Sequence, residues 1–172
     1  MANLRAARAA LGYVAEIVSL YPTLTGAENL AFFHALSGKP ALNDTERIDL
    51  LSALGFPLQA IDRRVETYSK GMRQKLGLAI AVAKDAQAIL LDEPLSGLDP
   101  QAANDLVAVL RGLAARGVAL LMSTHDIFRA KELADRVGIM AHGRLIELVD
   151  PARLSASDLE HLYLAHMAER TQ

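Results

Sequence analysis

An apolar run, Ala88-Ile89-Leu90-Leu91, stops at two adjacent carboxylates, Asp92 and Glu93, and the chain then turns through Pro94, Ser96 and Gly97. A run this short, closed by turn residues, reads as a buried strand of the kind found in parallel sheets covered by helices on both faces. In such sheets ligands sit beyond the carboxyl ends of the strands. A carboxylate delivered there can bind Mg2+ directly or through water, and a second one beside it can orient and polarise an attacking water. Two acids on a solvated strand end are also common without any such chemistry, so the pair needs support from the rest of the chain.

The flanking segments supply an α/β alternation. Residues 11–15 read as a short strand that ends at Glu16. Thr25 and Glu28 have capping-box spacing ahead of Leu30, Phe33 and Leu36, which predicts a helix to about Ser37, stopped by Gly38 and Pro40. Asn43 opens a second helix with Ile48, Leu51 and Leu54 on one face, and Ser69 caps a third that carries Leu76, Ile80 and Ala83. Past the carboxylates, Pro100 starts a helix that Gly117 ends. Residues 118–122 form a second buried strand, 127–134 a helix, 137–140 and 145–149 strands joined by a turn at His142 and Gly143, and 155–167 a closing helix. The expected organisation is one incomplete α/β domain in four parts: a strand region 1–18, a helical block 19–85, a sheet part 86–150 and a helical tail 151–172.

Composition removes several classes. A net charge of −2 argues against a general nucleic-acid binder. The chain has no cysteine, which excludes a disulfide framework and thiolate metal sites. No stretch approaches the roughly 18 uninterrupted apolar residues of a membrane helix, and the basic N-terminus lacks the apolar core of a signal peptide. The expectation is a soluble, cytoplasmic chain.

Two further features support the carboxylates. Ser69-Lys70-Gly71-Met72-Arg73-Gln74 opens a helix, and the backbone N–H groups and positive dipole end of a helix start make an anion site. A basic first turn on a surface helix gives the same sequence. His125 follows the strand 118–122, where an imidazole could meet a terminal phosphate or the catalytic carboxylate; alone, it would read as structural.

Together these segments resemble the ATP-binding subunits of ABC transporters. Residues 69–74 are similar to the signature motif, usually Leu-Ser-Gly-Gly-Gln; Ile89 to Glu93 resemble Walker B; Ser96 to Asp99 the D-loop; and Ser123-Thr124-His125-Asp126 the H-loop switch, all in family order. The resemblance runs from about Arg8 to Leu148. It implies part of a P-loop NTPase fold of the ABC ATPase type: the helical signature subdomain and the Walker B half of a mostly parallel sheet. It also implies ATP and Mg2+ as cofactors. By resemblance, Asp92 helps hold Mg2+, Glu93 polarises the water and His125 contacts the γ-phosphate. Asp99 communicates across a head-to-tail dimer, and Ser69, Gly71 and Gln74 of the signature complete the nucleotide site of a second ATPase subunit. The helical block docks on transmembrane transporter subunits, which would place the chain at the inner face of the membrane.

Two positions depart from the family pattern. Glu16 stands where most members have the Q-loop Gln; it can still meet Mg2+ or its water shell, but it adds negative charge near the phosphates. The signature reads Tyr68-Ser69-Lys70-Gly71-Met72, in which Lys70 adds a cation. Both departures are similar to the branch that serves drug, antibiotic and other small-solute exporters.

The phosphate-cradling G-x-x-x-x-G-K-S/T loop is missing. The Gly38-Lys39 pair is followed by Pro40, which cannot replace the Mg2+-binding hydroxyl. In the family that loop lies upstream of the Q-loop, so truncation is the expected explanation. Without the loop the chain is expected neither to bind ATP tightly nor to hydrolyse it, and to leave apolar surface uncovered around 88–91 and 118–122. The alternative is a non-catalytic interaction module that completes a partner's site in trans. An ABC-type ATPase of DNA repair or translation is disfavoured because no coiled-coil insertion or second ATPase unit is present.

Overall fold

The computed structural model describes residues 4–168, and the packing divides them into two compact units that meet in sequence between Ser123 and Thr124. Within the first unit the helical block packs directly on the first strand. Residues 1–3 and 169–172 of the expected strand region and tail lie outside the described residues.

The first unit begins with α1 (Leu4–Ala10), a helix in a stretch to which the sequence reading assigned no element. Its Leu, Arg and Ala residues are all strong helix formers. Strand β1 (Leu11–Val14) follows, then α2 (Gly26–Ala35) and α3 (Asp44–Ala53). Both helices open on complete capping boxes, Thr25 with Glu28 and Asn43 with Glu46. The Thr25 backbone N–H, then its side chain, holds the Glu28 carboxyl below its ordinary range, so this cap persists above that range and is lost as acid protonates the group. Helix α4 (Lys70–Ala83) packs against α2, α3 and β1, as well as α5 (Pro100–Ala115). Its Leu76, Leu78 and Ala79 are buried.

β1, β2 (Ala88–Asp92) and β3 (Ala119–Ser123) form a parallel sheet with β2 in the centre. The register pairs Val14 with Leu91 and Asp92 with Ser123, so the carboxyl ends of all three strands lie at one edge. Only one face is well covered. Gly12, Val14, Ile89 and Leu91 are buried on it, whereas Tyr13 (63% exposed) and Leu121 (68%) stand on the other. The expectation of helices on both faces is therefore corrected. Uncovered apolar surface is found on the edge strands, while the central strand keeps its Ile89 and Leu91 inside.

In the second unit, α6 (Ile127–Leu133) packs on α7 (Ala156–Ala168), and β4 (Val137–Ala141) pairs with β5 (Arg144–Val149). That pair is antiparallel rather than part of the parallel sheet, because two residues with positive φ, His142 and Gly143, fold it into a tight hairpin.

The approach of α4 to β1 depends on Gly12. A Cβ built there would lie 2.8 Å from the Ala81 Cβ and 3.2 Å from the Ile89 side chain. Gly12→Ala is expected to destabilise the chain by about 1–3 kcal/mol through overpacking, measured as a lower urea midpoint at unchanged slope.

Candidate functional site

The carboxyl edge of the sheet gathers most of the expected site. Asp92 is exposed at the end of β2, and because Ser123 sits opposite it in register, the Ser123 hydroxyl donates to Asp92 Oδ1 at 2.6 Å. The Tyr13 hydroxyl, on β1, reaches Asp92 Oδ2 at 3.5 Å. The neighbouring Glu93 donates its backbone N–H to the Ser123 carbonyl at 3.1 Å and has a φ of +43°, in the left-handed region. A glutamate there is strained locally. The kink ends the strand, and Glu93 O then accepts from Ser96 N at 3.1 Å.

Glu16 lies just past β1, half-buried, and its side chain meets two other segments. Ser96 Oγ donates to Glu16 Oε1 at 2.8 Å, and Lys70 Nζ lies 3.5 Å from the same oxygen. Gln74, one turn into α4, is buried and donates its amide to the backbone carbonyls of Glu16 (3.0 Å) and Ala15 (3.4 Å). Its own carbonyl oxygen is buried without a partner. Gln74 thus faces inward and ties α4 to the end of β1, whereas the signature reading had it facing a nucleotide.

Two helix starts converge here. Ser69 is the exposed N-cap of α4, accepting from Met72 N at 3.2 Å, and Asp99 is the N-cap of α5, accepting from Ala102 N at 2.9 Å. A Cβ on Gly71 would meet the Ala102 Cβ at 3.5 Å, so the first turns of α4 and α5 adjoin. His125 belongs to the second unit and is exposed ahead of Asp126, which caps α6.

Among the described residues no three acids or histidines cluster closely enough to hold a metal ion alone. Asp92 nevertheless fits a Mg2+ site as a single oxygen ligand: each of its oxygens has one hydroxyl neighbour and keeps a lone pair, and Mg2+ usually takes one or two carboxylates and completes its shell with phosphate and water. The exposed Ser69 at a helix start and the nearby Lys70 suit an anion. Ser123, Tyr13 and Ser96 were not singled out as site residues: Ser96 and Ser123 were read only as members of the D-loop and H-loop motifs and Tyr13 only as part of the first strand, and the contact that brings each to a carboxylate is non-local.

Residues 1–96 match the family model described as ABC transporter. A fluoroquinolones export ATP-binding protein of Mycobacterium tuberculosis is 39% identical over 145 residues, 84% of this chain and 46% of that protein. The Nod factor export ATP-binding protein I of Paraburkholderia xenovorans is 36% identical over 155 residues, 90% of this chain and 51% of that protein. The chain therefore spans about half the length of the curated relatives it matches. Among solved structures, the fold is similar to the ATP-binding cassette MJ0796 in its dimeric post-hydrolysis state bound to ADP and Pi, with a TM-score of 0.74 at 23% identity, covering 86% of this chain and 66% of that one.

Gln74→Leu keeps the volume but removes the donor to two carbonyls. It is expected to cost about 1–3 kcal/mol of stability, read as a fall in melting temperature accompanied by faster amide exchange at residues 15–18.

Proposed function

The chain belongs to the ABC transporter family, and from that premise we propose that it is part of the ATP-binding subunit of an exporter, one that couples ATP hydrolysis to solute movement through separate membrane subunits. The observation that carries this reading is the sheet edge where Asp92, fixed by Ser123 and Tyr13, adjoins the kinked Glu93. Relatives named as export proteins support the exporter branch.

In this reading Asp92 would hold Mg2+, and Glu93 beside it would orient and polarise the attacking water. Glu16 would meet the Mg2+ or its water shell. Ser69 and Gly71 present the start of α4 to the nucleotide of a second ATPase subunit, Asp99 relays between the two, and His125 contacts the γ-phosphate. Bound ATP supplies the scissile phosphoanhydride and Mg2+ the charge neutralisation; the residues named here position them. The exposed aromatic side chains around α2, Tyr21 and Phe32 stacked edge to face with centroids 5.0 Å apart, suit docking on a transmembrane subunit. No described helix is long and apolar enough to cross a membrane, which is compatible with a peripheral position at its inner face.

The sequence contains no G-x-x-x-x-G-K-S/T loop, and the chain by itself holds the β- and γ-phosphates poorly. Calorimetry with Mg-ATP should show a dissociation constant no tighter than about 1 mM; micromolar binding would overturn this part. In a chimera that adds the loop segment of a relative, Glu93→Gln should lower ATP turnover by about 10^2–10^4-fold with ATP affinity retained. Unchanged turnover would remove Glu93 from the chemistry. The exposed start of α4 also favours a second reading, a module that completes a partner's site in trans. Stimulation of a complete subunit's ATPase by this chain, abolished by Ser69→Arg, would favour it over the first.

A further inference from the structure

The two positions that depart from the family's usual motifs meet each other. Glu16 and Lys70 are 54 residues apart in the chain, yet Lys70 Nζ lies 3.5 Å from Glu16 Oε1. The same oxygen accepts from Ser96 Oγ at 2.8 Å. Lys70 also lies against the turn after β2, since a Cβ on Gly97 would sit 3.5 Å from its ammonium. Behind the carboxylate, Gln74 holds the Glu16 carbonyl at 3.0 Å, so α4 grips this residue at both ends. A glutamine at position 16 would give the ammonium no charge to meet, and a glycine at position 70 would leave the carboxylate held by Ser96 alone.

We propose that Glu16 and Lys70 act as one unit, with Lys70 the positioning residue that holds the Glu16 carboxylate against Ser96 and so fastens together three segments: 15–18, the start of α4 and 94–98. The contact is built to open. The Lys70 side chain is 32% exposed and that of Glu16 45%, so water and salt reach both, and such pairs are individually weak. A divalent cation competes with Lys70 for the carboxylate, and a phosphate competes with the carboxylate for Lys70. This second step rests on the ATP-binding reading above. Metal arriving at Glu16 then frees the ammonium beside Ser69, where a second subunit's phosphate would lie. The charge that Glu16 adds near the phosphates is thereby cancelled before nucleotide arrives and replaced by metal afterwards.

Amide hydrogen exchange on the full chain tests the fastening without nucleotide. Lys70→Gln is expected to speed exchange in 15–18 and 94–98 by about 3–10-fold, and 0.5 M NaCl to do the same to the native chain but add little to the variant. The charge-swapped double variant, Glu16→Lys with Lys70→Glu, should return both segments to within about twofold of native, because the Ser96 hydroxyl can accept as well as donate. Lys84→Gln serves as the unlinked control. Native-like exchange in Lys70→Gln, or a swap no better than the single change, overturns the unit. The release step is read separately by adding millimolar Mg-ATP to the native chain. Loosening of the same two segments supports it, and rigid segments with nucleotide bound overturn the release step and leave the fastening intact; where calorimetry shows no binding, as expected of a chain without the phosphate loop, the same comparison in the loop-bearing chimera decides, and a chimera that binds no nucleotide points to failure of the ATP reading.

Discussion

The close approach of α4 to β1 governs where everything else in the first unit can stand. Gly12 brings the strand within Cβ contact distance of Ala81, and Gly77 lets the helix backbone settle against Val14 and Val18. With the helix this close, an amide at Gln74 can reach the main chain just past the strand, and the helix start arrives beside Glu16. A larger residue at Gly12 or Gly77 would push α4 outward, and the buried amide, the ion pair and the adjoining start of α5 would all lose their spacing together.

The site edge combines order and strain in a consistent way. Asp92 is held from two strands by hydroxyl groups, which fix its direction without adding charge. Glu93 then departs from the strand through a left-handed kink that a glycine would adopt more easily. A carboxylate in that position is retained against its backbone preference, whereas the capping residues Ser69 and Asp99 sit where their side chains are favoured. The strain falls on the residue expected to face water in the reaction.

What could be read from the sequence was local. Thr25 with Glu28, Ser69, and Pro100 mark helix starts through local signals, and the structure has helices at each. The strand ahead of Asp92 was legible because its apolar run is short and bounded. The ABC resemblance was carried by several such local motifs in order. The misses are non-local or conditional. Helix α1 was left unassigned, although its Leu, Arg and Ala residues favour a helix. Gln74 was assigned by motif to a nucleotide site, and its contacts with residues 15 and 16 were not legible, because a buried helix with several packed sides gives no periodic cue to which residues face in. Glu16 and Lys70 were read as separate oddities, since nothing in a linear chain indicates that two departures cancel.

Asp99 already has a commitment. Its carboxylate accepts the Ala102 N–H at 2.9 Å and so anchors the first turn of α5, a helix whose inner side carries Leu106, Val107, Leu110 and Leu113 into the core. Turning that carboxylate toward a neighbouring subunit would strip the helix of its cap, at a cost of about 0.5–2 kcal/mol. In the dimer proposed above, an Asp99 that turned wholly toward a neighbour would exchange one acceptor role for another and fray the first turn of α5, so the contact would be felt along the helix as a change in its length.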